Sequence, residues 1–76
     1  MLILNQKQDK IVNVEQTEEI MLNYLEGTVP KVVAFTVSNY DVLGEYRREE
    51  RCKEILLEIM KKAEVGHRVY YMPEEW

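Results

Sequence analysis

A single cysteine, Cys52, stands among the 76 residues. It has no partner for an internal disulfide, although secreted domains of this size usually depend on several. The expected setting is therefore reducing and cytoplasmic. Long hydrophobic runs are also lacking, since KVVAFTV and EILLEIM fall far short of the roughly 20 residues that cross a bilayer. The opening MLILNQKQDK turns polar at Asn5 and has no basic region ahead of its apolar residues, so neither an export signal nor a membrane span is expected. Glycine and proline are scarce, at three and two residues, and they stand singly. Gly27, Gly44 and Gly66 are too widely spaced to form a phosphate-cradling loop. No linker, repeat or low-complexity tract divides the chain, so one small domain over residues 1–76 is the simplest organisation.

Histidine is as rare as cysteine, with His67 alone. A Cys52–His67 nucleophile pair would need contact within about 3 Å. Cys52 falls in the second turn of the expected helix and His67 follows its terminal glycine about 15 residues on, roughly 22 Å along the axis, so a buried thiol and a turn histidine are expected instead. Zinc sites need closely spaced Cys and His pairs, and calcium loops need alternating oxygen ligands around a glycine. Here the acidic residues occur as adjacent pairs, Glu18–Glu19, Glu49–Glu50 and Glu74–Glu75, whose side chains diverge. No metal or cofactor is expected, and no catalytic constellation is found.

Basic charge is outnumbered, ten residues against fourteen acidic, for a net charge of −4. Residues 47–65 carry six basic and five acidic groups, and the remainder carries four and nine. Nucleic acid is thus an unfavourable partner, since nonspecific affinity comes from a continuous basic surface.

What the chain does have is periodicity. Met1–Leu4 and the alternating Ile11–Glu15 flank a polar turn and read as a hairpin, with Val12 and Val14 on one face. Thr17–Gly27 supports two structures. Thr17 could cap a short helix that Gly27 ends, while Ile20, Leu22 and Tyr24 fall at strand spacing; strand is preferred because eight or nine residues make a poor helix. Lys31–Ser38 is a strand of β-branched and aromatic residues, with Val33, Phe35 and Val37 sharing a face. Asn39–Asp41 turns it into Val42–Tyr46, where Gly44 marks a bulge or a close approach by a neighbour. From about Arg48 to Val65 a helix is expected. Its apolar stripe is Cys52, Ile55, Leu56, Ile59, Met60 and Ala63, and Gly66 ends it. Arg68–Met72 forms a last strand before Pro73, leaving an acidic tail over residues 73–76.

The predicted fold class is α+β. A mostly antiparallel meander sheet of five or six strands carries one amphipathic helix, about 48–65, on one face. Tyr24, Tyr46, Tyr70 and Tyr71 are read as amphipathic strand residues with wet hydroxyls. Both faces of KVVAFTV are apolar, so the uncovered face calls for a partner protein, including a second copy of the chain.

One local rule is broken. Arg47, Arg48 and Arg51 crowd a helix start, where Ser, Thr or Asp would normally cap and cations oppose the dipole. Such a cluster beside free helix N–H groups could hold an anionic ligand. It could equally hold the chain's own tail. The helix rises about 27 Å, and a returning strand at about 3.3 Å per residue carries Glu74 and Glu75 back toward the arginines, with Trp76 packing against the domain.

The opening ILNQKQDKIVNVE, the junction LGEYRREERCKEILLEI and the ending VYYMPEE resemble a group of short uncharacterised proteins from Gram-positive bacteria, their prophages and mobile elements. Relatives in that group tend to have Thr where this chain has Arg48. The resemblance implies strand at residues 18–25 and a phage or mobile-element origin, but it brings no activity. The expected function is a noncatalytic protein-interaction or accessory module, and the alternative is a binder of an anionic ligand through Arg47, Arg48 and Arg51.

Overall fold

The structure, a computed structural model, describes residues 1–75. Six short strands and one long helix follow the chain as β1 (Leu2–Leu4), β2 (Ile11–Asn13), β3 (Glu19–Asn23), β4 (Lys31–Phe35), β5 (Tyr40–Glu45), α1 (Glu49–Glu64) and β6 (Val69–Tyr71). The fold is α+β, but its strands do not form one meander. They divide into two three-stranded sheets, β2–β1–β6 and β3–β4–β5. The second is an antiparallel meander. In the first, β1 pairs antiparallel with β2 and parallel with β6, so Leu2, Ile3 and Leu4 lie beside Val69, Tyr70 and Tyr71.

Alternation decides what each sheet buries. Ile3, Val12 and Tyr70 share the inner face of β2–β1–β6, and Val32 and Ala34 lie on the inner face of β3–β4–β5. α1 packs across β3 and β4 and buries Cys52, Ile55 and Ile59. These residues form one core together with Leu43, Tyr46 and Met72. The helix stripe is narrower than its sequence spacing implies, for Leu56 is half-buried and Met60 and Ala63 face solvent. On that side Leu56, Met60 and Ala63 border an open groove whose other wall includes Met1, Val14 and Ile20.

Thr17–Gly27 contains strand β3 rather than a helix. Val14 leaves strand register instead of continuing beside Val12. A single 3₁₀ turn, Val14–Gln16, intervenes, and the Asn13 side chain accepts from Glu15 N at 3.0 Å. Gly44 meets both of its expected roles. β4 and β5 slip register between Val32 and Val33, leaving Leu43 as the extra residue of a bulge, and the Tyr46 ring lies against Gly44. Gly66 adopts φ +80 just past the helix and lets His67 N donate to Lys62 O at 3.0 Å.

The tyrosines split. Tyr24 and Tyr71 are exposed, whereas Tyr46 and Tyr70 are core residues at 0% and 4% exposure rather than wet strand residues. Their hydroxyls are satisfied inside the fold, Tyr46 donating to Pro73 O at 2.8 Å and Tyr70 to Glu58 Oε1 at 2.7 Å.

Candidate interaction surfaces

Arg48 occupies the N-cap of α1 with extended backbone (φ −124, ψ 143), and its side chain caps nothing. Glu49 and Glu50 in the first turn supply the negative charge that the helix dipole favours. One turn in, Arg51 bonds through Nε to the Glu75 carboxylate and through Nη1 to Glu54 Oε1 at 3.1 Å. The bond to Glu75 is the main reason its guanidinium holds its proton more tightly than usual. Gln6 secures the tail from the other side, its Nε2 donating to Glu75 O and Glu45 O at 2.8 Å while its Oε1 accepts from Glu45 N at 2.8 Å.

Of the two groups of residues placed together by chain geometry, the structure joins Arg51 and Glu75. Arg47, Arg48 and Glu74 are exposed, with no ion-pair partner among the described residues. The expectation for Trp76 lies outside those residues. Chemically, this corner is a strap in which the chain's own carboxylate takes the guanidinium that an anionic ligand would need.

A different surface emerges on the outer face of β2–β1–β6. Register places Leu2, Leu4, Ile11, Val69 and Tyr71 there together. Leu2 is 42% exposed, Ile11 63%, Val69 46% and Tyr71 67%. They surround a shallow depression of about 120 Å³. No charged residue falls at these strand positions; Lys10 and Arg68 flank them in sequence, and Glu58 and Lys62 line a neighbouring groove with Val69 and Tyr71. The sequence signal was visible but unread. LIL and VYY carry apolar residues at consecutive positions, which a strand must put on both of its sides.

The surplus noticed in KVVAFTV resolves differently. On the outer face of β3–β4–β5, Val33 is fully buried beneath its neighbours, and the Phe35 and Tyr40 rings pack at 5.8 Å. That face largely covers itself.

Conventional chemistry finds little purchase. Cys52 is fully buried in the core, and burial pushes its thiol pKa up, the opposite of an activated nucleophile. His67 is exposed beyond the far end of α1. Among the described residues no three His, Cys, Asp or Glu side chains cluster as a metal site, and no helix is long and apolar enough to cross a membrane. A groove of about 370 Å³ lies between α1 and the segment from Val14 to Ile20; Met1, Leu56 and Met60 complete its apolar lining, and Glu18 and Glu19 line it as well. No protein-family model, curated protein or solved structure matches the chain.

Proposed function

We propose that the chain is a noncatalytic protein-interaction module whose docking surface is the outer face of β2–β1–β6. One observation carries the reading: five of the six strand positions on a face three strands wide are apolar, Asn13 being the sixth, and none is charged. Monomers seldom leave such a face to water unless it binds something. Covering one half-exposed side chain of this kind yields about 1 kcal/mol, and association itself costs at least about 4 kcal/mol. Five such side chains offset that cost only narrowly. The fitting partner is a protein with an apolar surface that reaches past the face to the rim around Lys10 and Arg68. The setting we propose is the cytoplasm, as an accessory or regulatory factor of a prophage or mobile element, in keeping with the sequence resemblance and the lone buried cysteine.

The test is affinity capture from the native cell with wild-type chain and an Ile11→Lys/Tyr71→Lys variant, both folded by circular dichroism. A partner held by wild type and lost by the variant supports the reading. Equal capture by both overturns it.

A further inference from the structure

A second surface, separate from the sheet face, lies on α1. Lys53, Leu57, Met60 and Glu64 follow one another at spacings of four, three and four residues, so they form a single stripe. The stripe faces away from the core contacts of Cys52, Ile55 and Ile59. Leu57 is 63% exposed and Met60 60%, and the Lys53 side chain is 63% exposed. Glu64 is exposed as well. The pattern reads cation, apolar, apolar, anion. Reversed in direction, it becomes its own complement.

We propose that a second copy of this chain docks on the stripe, the two α1 helices lying antiparallel about a two-fold axis between Glu58 and Ile59. In that register Leu57 of each copy meets Met60 of the other, and Lys53 meets Glu64 at both ends. Charge selects this arrangement over its neighbours. An antiparallel pair centred on Leu57 would set Lys53 against Lys61 and Glu50 against Glu64, and a parallel pair would set Lys53 against itself. Isologous contacts require this self-complementarity of one surface, and like-charge opposition is what suppresses wrong registers.

Two further features fit. Among the described residues Lys53 forms an ion pair only with Glu49, at 3.7 Å, an exposed pair that holds the lysine loosely. Met60 and Leu56 also line the groove of about 370 Å³, which adds Met1 and Val14 to the apolar area within reach of the partner helix.

Charge reversal tests the geometry. Wild-type protein should dimerise with concentration in sedimentation equilibrium. Lys53→Glu alone and Glu64→Lys alone each create two like-charge contacts and should weaken the dimer by about tenfold or more. An equimolar mixture of the two single variants should associate as tightly as wild type, because both contacts are again opposite in sign; the Lys53→Glu/Glu64→Lys double variant should do the same. Exposed substitutions at these positions leave the core intact, and thermal melts of each variant verify it. A wild-type monomer at all concentrations overturns the proposal. So does a dimer indifferent to the charge reversals, or one lost in the Ile11→Lys/Tyr71→Lys variant instead, which would place the second copy on the sheet face. The sheet-face reading is judged separately, by capture of its partner.

Discussion

The ring of Tyr46 occupies the space that a side chain on Gly44 would need: a Cβ at Gly44 would stand 2.6 Å from Tyr46 Oη and 2.7 Å from its Cε2. The ring cannot swing aside, because it is fully buried and its hydroxyl is bonded to Pro73 O. Gly44→Ala should therefore destabilise the fold by about 1–3 kcal/mol as an overpacked core. Denaturant unfolding measures it. Adding Tyr46→Ala should give a double variant less unstable than the sum of the two singles, since one change relieves the clash made by the other.

Arg48 sits in cap geometry without a capping side chain. Arg48→Asp or Arg48→Thr places an acceptor near the free N–H groups of the first turn and should raise stability by about 0.5–1 kcal/mol. An unchanged melting temperature would mean that the first turn is already satisfied by other means.

The Arg51–Glu75 pair is half open to water, with side-chain exposures of 27% and 50%. Glu75→Gln should cost no more than about 1 kcal/mol, and the loss should shrink as salt is added. Amide exchange at the Gln6–Glu45 contact should stay nearly unchanged in the same variant, because Gln6 holds the tail through the backbone carbonyl of Glu75.

Alkaline pH should unfold the protein through its core. Burial raises the pKa of the Cys52 thiol above its ordinary 9.0, and it raises those of the Tyr46 and Tyr70 phenols above 10.0, with Glu58 adding to the effect at Tyr70. These groups are neutral when protonated. The unfolded chain releases their protons first, so stability is full below about pH 9 and falls as pH rises beyond it. A series of melts across this range should show the decline, and Tyr70→Phe should flatten part of it.

Local signals located the helix, its glycine stop, the β4–β5 pair and the bulge, because periodicity and turn chemistry act between near neighbours. The pairing of β1 with β6 has no such signal: its hydrogen bonds join residues at opposite ends of the chain, and parallel strands share no turn. Missing that pair merged two sheets into one and hid the outer face that Leu2, Val69 and Tyr71 create. The position of Glu75 beside Arg51 was within reach of arithmetic, since helix rise and strand length fix where a returning chain arrives. Met60 and Ala63 were misread for the opposite reason. Helical spacing tells which side chains align, but not whether the rest of the fold closes over them.

Leu2 pairs with Val69 across 67 positions of sequence, and this gives the chain an order of assembly. The β3–β4–β5 meander forms between near neighbours in sequence, but β1 has only β2 beside it until the distant β6 pairs with it. Until then Ile3 waits without the cover of Tyr70. In that interval one edge of β1 is unpaired, so the folding chain is most open to a chaperone or to aggregation before the β1–β6 pair closes.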